Sequence, residues 1–192
     1  MKRRLTHWAL AAGALAFSTA VFAAPLDAEM LANACGGCHG TNGGSAGDTM
    51  PSLASHSVSA ITDAMLAFRS GERSSTIMGR LAKGYNDEQI KAIGEFFAKQ
   101  KLHVTHQKVD IAKVAKMAKI EEKACGRCHL DQGRDGKDNT PVMASQWLPY
   151  LQIQLDLYAS GKRKMPEKME EKFKELSKQD QEALMHFYAS QK

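Results

Sequence analysis

Two copies of the pattern Cys-x-x-Cys-His carry the most distinctive chemistry of this sequence, and together they contain all four of its cysteines. The residues are Cys35, Cys38 and His39 in the first copy, and Cys125, Cys128 and His129 in the second. This pattern is the attachment signal for c-type haem, in which each thiol bonds a haem vinyl group and the histidine binds the iron. The sequence therefore predicts two covalently bound haem c groups and electron transfer.

Other uses of paired cysteines fit this sequence less well. A zinc ribbon also has two Cys-x-x-Cys pairs, but they are typically about 15–20 residues apart. Here 86 residues lie between Cys38 and Cys125. A thioredoxin-like redox pair requires a βαβ context, which no strand pattern provides. Two structural disulfides would suit an exported chain, but they leave the repeated histidine unexplained.

Residues 1–23 have the composition of a secretory signal peptide, with a basic start, a short apolar stretch and a Val-Phe-Ala cleavage pattern. The apolar stretch is short for a membrane span, although an uncleaved anchor is an alternative. We expect an exported, periplasmic protein with no membrane span in the mature chain. The net charge of +5 includes three positive charges of this segment. Because the remaining lysines are spread out without interleaved aromatic residues, we expect no nucleic-acid binding.

The chain repeats itself at an offset of 90 or 91 residues, since residues 68–73 align with 158–163 and residues 96–100 with 187–191. A domain of this size buries little apolar surface alone, so a haem would supply an apolar centre for each repeat. The predicted division is a signal peptide (1–23), a first domain (24–100), a linker (101–110) and a second domain (111–192).

Apolar residues recur at helical spacing in both halves, and no strand alternation is present. Each half should close with a helix that starts at a capping residue, Asn86 with Gln89 in one and Ser177 with Asp180 in the other. The sequence therefore predicts an all-α fold of two tandem domains, each wrapped round one haem.

The repeat also selects the residue that would bind iron opposite each histidine. Met78 lies 39 residues after His39, and Met169 lies 40 residues after His129. His/Met ligation suits electron carriage, whereas an open site suits small-ligand chemistry. We therefore predict Met78 and Met169 as ligands, with Met165 as the rival in the second domain.

Four further residues have predicted roles near these sites. A haem-binding histidine usually donates its free ring N–H to a carbonyl or carboxylate, and the Pro51 and Pro141 carbonyls are the candidates by position. The alternative is that both prolines only punctuate loops. His56 and His186 have no histidine at the equivalent repeat position, so we expect surface or hydrogen-bonded roles for them.

Several segments resemble the cytochrome subunit of flavocytochrome c sulfide dehydrogenase, a branch of the dihaem class I cytochromes c. They are residues 34–41, 74–85, 146–151 and 186–191. The resemblance covers nearly all of the mature chain and implies two tandem class I cytochrome c-like domains. It implies the same haem-attaching cysteines and the same His and Met ligands. Proline follows Met165, where the family would place it before the methionine, which leaves the choice between Met165 and Met169 open.

The resemblance further implies a partner, an FAD-containing flavoprotein subunit that oxidises sulfide. The chain would not be catalytic alone; it would accept electrons and pass them to a soluble acceptor such as another cytochrome c. The alternative is a free-standing periplasmic dihaem carrier that delivers electrons to an oxidase. In the first case Trp147, Leu148 and Tyr150 could belong to a partner interface, and in either case to the domain core. A dihaem peroxidase would need an open iron site, which two matched methionines oppose.

Overall fold

The computed structural model describes residues 27–136 and 138–192, which form two helical halves. The predicted signal peptide lies outside the described residues. The helices of the first half are α1 (Ala28–Asn33), α2 (Gly36–His39), α3 (Val58–Ser70), α4 (Met78–Leu81) and α5 (Asp87–Ala98). Those of the second half are α6 (Ile111–Ala124), α7 (Leu130–Gly133), α8 (Leu148–Ala159), α9 (Glu167–Lys174) and α10 (Lys178–Ser190), with a two-residue strand β1 (Asp135–Gly136). The all-α prediction is confirmed.

Each half has its own apolar core, built round the closing helix. In the first half α5 packs against α1 and α3, and in the second half α10 packs against α6 and α8. The buried residues of the first core are Ala32, Ile61, Met65, Ala82, Ile90, Ile93 and Phe97. Those of the second are Met117, Leu151, Ala183, Leu184, Met185, Phe187, Tyr188 and Ala189. Because each core is complete within one half, each half is a domain with its own scaffold for a site.

The closing helices start at the residues that the sequence predicted. The Asn86 side chain accepts from the Gln89 N–H at 2.8 Å while Gln89 Oε1 accepts from the Asn86 N–H at 2.9 Å, which is a complete capping box. In α10 the Ser177 hydroxyl accepts from the Asp180 N–H at 3.1 Å. Each cap satisfies an N–H group that the helix itself leaves unpaired, so it fixes where the helix begins.

The duplication extends to the loops between the helices. Gly43 and Gly133 have positive φ values of 79° and 81°, and each carbonyl oxygen accepts two successive backbone N–H groups from the segment that follows. A Cβ at either position would lie 2.8 Å from a ring of the closing helix. Ser55 and Ser145 then each donate their backbone N–H to a carbonyl of that helix at 3.0 Å. The two domains therefore hold the loop after each motif in the same way.

The two domains are joined by buried hydrogen bonds. The Gln146 side chain accepts from the Ser52 N–H and donates to the Ser52 carbonyl, both at 2.9 Å. Trp147 Nε1 donates to the Ser45 carbonyl, also at 2.9 Å. The Trp147 indole, one of the side chains considered for a partner interface, thus contacts the first domain.

The chain between α5 and α6 packs along the second domain. Thr105 is buried, and its N–H donates to Ser145 Oγ at 2.8 Å. Gln107 donates to the Gln146 and Ala189 carbonyls and accepts from the Leu148 N–H at 2.7 Å. These hydrogen bonds hold the segment against the second domain and fix the start of α8. Among the described residues no helix has the length and apolar character needed to cross a bilayer.

Candidate haem sites

The first Cys-x-x-Cys-His motif forms one helical turn. α1 leads into the motif, and the His39 N–H then donates to the Cys35 carbonyl at 3.0 Å. This turn buries His39 and leaves the two thiols free, with Cys35 half-buried and Cys38 exposed. A thiol pair on one turn, ahead of a buried imidazole, can attach a haem at its edge and bind its iron from one side.

The second motif repeats this turn at the end of a longer helix. The His129 N–H donates to the Cys125 carbonyl at 3.0 Å, and both thiols of the motif are free. Two isolated bridges, from His129 to Gly136 and from Leu130 to Asp135, close the loop that follows. No group of three or more His, Cys, Asp or Glu side chains that could hold a metal ion is present in the described part of the chain.

The His39 ring is oriented by the carbonyl that the sequence predicted. Its Nδ1 atom lies 2.8 Å from the Pro51 carbonyl oxygen. Burial lowers the pKa of His39, and the bond to Pro51 opposes that shift. A neutral ring with Nδ1–H on a carbonyl leaves Nε2 as the nitrogen with a free lone pair. His39 therefore has the tautomer that an iron ligand needs.

His129 lies near the equivalent proline carbonyl, but its ring does not form the hydrogen bond that His39 forms. Burial lowers its pKa to about 4, and the Pro141 carbonyl is near enough to oppose the shift. Its Nδ1 atom nevertheless has no hydrogen-bond partner among the described residues. A small rotation of the ring on iron binding would let Nδ1 donate to this nearby carbonyl. His129 therefore also suits a haem.

The methionines differ between the two domains. Met78 is the first residue of α4 and packs, half-buried, against the core cluster that also contacts Cys35. Met169 is half-buried on α9, two residues after the first residue of that helix. Met165 is also half-buried, just before the N-cap residue Pro166. Met78 and Cys35 thus pack against the same core cluster, while in the second domain Met165 and Met169 both stay open.

Three of the exposed large apolar side chains of the described residues lie in the segments that carry Met78 and His129. Ile77 and Leu81 flank Met78 with 46% and 47% of their surface exposed, and Leu130 follows His129 with 37% exposed. A globular protein gains stability by covering such side chains, at about 25 cal/mol per Å² of apolar surface. A porphyrin held by the adjacent thiols would cover them, so these residues fit a haem.

Two arginines at equivalent positions of the repeat meet at the junction of the domains. The guanidinium carbon of Arg73 lies 4.5 Å from the ring centroid of Phe68, and that of Arg163 lies 4.7 Å from the ring centroid of Tyr158. Burial, and then the charge of Arg163, lower the pKa of Arg73. Neither arginine forms a salt bridge within the described residues. Such a pair suits carboxylates, including haem propionates. The alignment of 68–73 with 158–163 contained this signal, but sequence reasoning did not use it.

His56 is one of the two histidines for which a surface or hydrogen-bonded role was predicted, and it does not lie at the surface. It is buried, and its Nδ1 atom has no hydrogen-bond partner in the ranges that the structure describes. Burial lowers its pKa to about 4. The equivalent position of the second repeat is Gln146, which is also buried. His186 behaves as expected, because its Nδ1 accepts from the Asp110 N–H at 3.1 Å.

Comparison with known proteins gives the family of the first domain. Residues 28–101 match the family described as cytochrome c. The first half of the chain is thus similar to a cytochrome c domain. Such a domain implies covalently bound haem c, in agreement with the motif at residues 35–39.

Two curated relatives and one solved structure extend this likeness. Over 69 residues, 36% of the chain, it is 46% identical to the cytochrome subunit of sulfide dehydrogenase of Chlorobaculum tepidum, of whose length this stretch covers 62%. It is 27% identical to cytochrome c4 of Pseudomonas aeruginosa over 142 residues, 70% of this chain and 71% of that protein. The crystal structure of reduced recombinant cytochrome c4 from Pseudomonas stutzeri superposes with a TM-score of 0.73 at 24% identity, covering 86% of this chain and 99% of that one. The last likeness confirms the predicted fold of two tandem class I cytochrome c-like domains.

Proposed function

We propose that this protein is a dihaem electron carrier with one haem c in each cytochrome c-like domain. The observation that supports it best is the repeated turn in which two free thiols precede a histidine, which is buried in the first copy (His39) and half-buried in the second (His129). Cys35 and Cys38 would hold the first haem, and Cys125 and Cys128 the second. Bound in this way, haem c supplies reversible one-electron chemistry at its iron.

The protein's own residues would orient each haem and exclude water from its iron. His39 presents Nε2 because its Nδ1 faces the Pro51 carbonyl, and Met78 is the proposed ligand on the opposite side. His129 and Met169 take these roles in the second domain. With both axial positions filled by protein, neither iron would bind a small substrate, which favours electron carriage over peroxidase chemistry.

Haem counting tests this proposal directly. The full-length chain is expressed with a c-type haem maturation system, and haem is measured by pyridine haemochrome absorbance and intact mass. We expect two haems in the wild type and one in each double variant, Cys35→Ala with Cys38→Ala or Cys125→Ala with Cys128→Ala. The two variants are matched controls for each other. A full-length protein without covalent haem would contradict the proposal.

We further propose that the chain is the electron-accepting subunit of a periplasmic, FAD-containing sulfide dehydrogenase. The 46% identity over 69 residues to the cytochrome subunit of sulfide dehydrogenase of Chlorobaculum tepidum supports this role. FAD would be bound only by the partner, and electrons would leave to a soluble acceptor such as another cytochrome c. The competing role, a free-standing carrier that feeds an oxidase, is supported by the longer but weaker likeness to cytochrome c4.

Isolation of the complex separates the two roles. The haem-loaded protein is captured under gentle conditions from its native periplasm and scanned for flavin absorbance. Stoichiometric FAD, with haem reduction on addition of sulfide, is the expected result. Two haems with no flavoprotein attached would favour the free-standing carrier. FAD without sulfide-driven reduction would indicate a flavoprotein that acts on another sulfur compound.

A further inference from the structure

The second domain contains a buried polar pair where the first domain is apolar. Glu121 and Tyr188 are each 2% exposed, and the Tyr188 hydroxyl donates to Glu121 Oε1 at 3.2 Å. At the repeat offsets of 90 and 91 residues these positions correspond to Leu31 and Phe97. Leu31 and Phe97 belong to the apolar cluster of the first core. The fold of this domain therefore does not require the polar pair.

This pair lies against the second haem motif. The Glu121 carbonyl accepts the Cys125 and Gly126 N–H groups at 2.8 Å and 2.9 Å, which fixes the start of the motif on the last turn of α6. The ring of Tyr188 lies 5.8 Å from the ring of His129, centroid to centroid. The Glu121–Tyr188 pair is thus in contact with the attachment turn and next to the proposed iron ligand.

The surroundings of Glu121 leave its charge uncompensated. The titratable groups that face it are Glu122 on its own helix, Tyr188 on α10 and Cys125 in the motif. Within the described residues it forms no salt bridge. Burial raises the pKa of Glu121, the bond from Tyr188 lowers it, and Glu122 raises it further. A thioether at Cys125 would no longer titrate, so Tyr188 and Glu122 would remain.

We propose that the Glu121–Tyr188 pair sets the reduction potential of the second haem site and couples its reduction to protonation of Glu121. This inference rests on the proposed binding of haem. An ionised carboxylate beside an iron stabilises the ferric state and lowers the potential. When a one-electron donor reduces the second site, the Glu121 carboxylate takes one proton from water and forms an O–H bond. When the electron leaves, the O–H bond breaks and the proton returns to water.

The consequence is an asymmetry between two otherwise similar domains. With Leu31 at the equivalent position, the first site has no such carboxyl group. Its potential should therefore change less with pH than that of the second site. As pH rises through the pKa of Glu121, the second potential falls relative to the first. The share of electrons on the first haem should therefore rise with pH.

The test is a spectroelectrochemical titration of the full-length, two-haem protein across a series of pH values. Wild type should show one potential that falls with rising pH, and Glu121→Gln should remove this fall. Glu122→Gln, which changes an exposed neighbour, should keep this fall but move it to lower pH, because Glu122 raises the pKa of Glu121. Tyr188→Phe keeps the ring, as in Phe97 of the first domain, and removes the bond that lowers the pKa of Glu121. In that variant the second potential should therefore fall at higher pH than in wild type.

Each outcome has a distinct meaning. The inference would be overturned if the two potentials of the wild type changed equally with pH. It would also be overturned if the second potential of Glu121→Gln still fell with pH as in wild type. In both cases a count of two haems would still uphold the proposed function. A chain that attaches no haem would overturn both. If Glu121→Gln does not fold, redox-difference infrared spectra of the wild type decide. A protonated-carboxyl band that gains intensity on reduction supports the coupling, and its absence refutes it.

Discussion

Gln146 forms two of the buried hydrogen bonds between the domains, and its removal should be costly. Gln146 and Ser52 are 2% and 4% exposed, and two hydrogen bonds of 2.9 Å join the amide side chain to the Ser52 backbone. Gln146→Ala leaves a buried N–H and a buried carbonyl without partners. An unsatisfied buried group costs about 1–3 kcal/mol. We therefore expect Gln146→Ala to lower the free energy of unfolding by about 2–6 kcal/mol.

The assay is chemical denaturation of the full-length, haem-loaded protein, followed by far-UV circular dichroism and haem absorbance. Gln146→Met keeps the side-chain volume but not the hydrogen bonds, so it should lose nearly as much stability as Gln146→Ala. Gln152→Ala on α8 is the control, because its side chain forms no hydrogen bond with the described residues. The reasoning fails if Gln146→Ala stays within about 0.5 kcal/mol of wild type, as a surface substitution would. It also fails if Gln146→Met is as stable as wild type, since lost packing would then be the cause.

Four further substitutions have defined outcomes. Met169→Ala should remove the methionine–iron absorption band from one haem and Met165→Ala should keep it; the reverse result would make Met165 the ligand. Burial lowers the pKa of His56 from 6.5 to about 4, so the folded protein favours the neutral ring and loses stability as pH falls through this range, by roughly 3 kcal/mol. His56→Gln should flatten this loss in denaturant titrations at pH 7 and pH 4, and an unchanged slope would assign it to other groups. Gly133→Ala places a Cβ 2.8 Å from the Tyr188 ring at a φ of 81°, so a loss of at least 1 kcal/mol is expected in thermal unfolding, on the order of the strain at such a φ.

Local signals in the sequence predicted the helices and the motif turns. Asn86 with Gln89 is a pattern of four residues, and a capping box depends on contacts within the same four residues. The Cys-x-x-Cys-His turn is similarly short-range, so its helical form follows from its own hydrogen bond of 3.0 Å. Because the chain repeats, a signal found in one half also predicted the equivalent element in the other half. The family match and the superposition support the fold that resulted.

Contacts between distant residues could not be predicted in this way. Gln146 and Ser52 are 94 residues apart, and nothing in the neighbours of either residue specifies the pair. Arg73 and Arg163 stood in the aligned segments, but the alignment does not show that their side chains meet at the domain junction. The methionine ligand of the second domain stays a prediction for a related reason. α9 begins at Glu167, so Met165 and Met169 stand just before and just inside the same helix, and sequence spacing alone does not separate them.

Duplication makes the first domain an internal control for the second. A buried position that is apolar in both repeats reports packing alone, whereas a buried position that changes from apolar to ionisable needs a reason that outweighs its desolvation cost. Glu121 in place of Leu31 is such a change. Its partner Tyr188 replaces Phe97, so the hydroxyl and the carboxyl occur together in one repeat. Because one hydrogen bond satisfies only part of a carboxyl group, the pair costs the second domain stability that Leu and Phe would give. This loss of stability next to a haem motif is explained if the Glu121 carboxyl group lowers the reduction potential of the iron. The pH dependence of the second potential measures that effect.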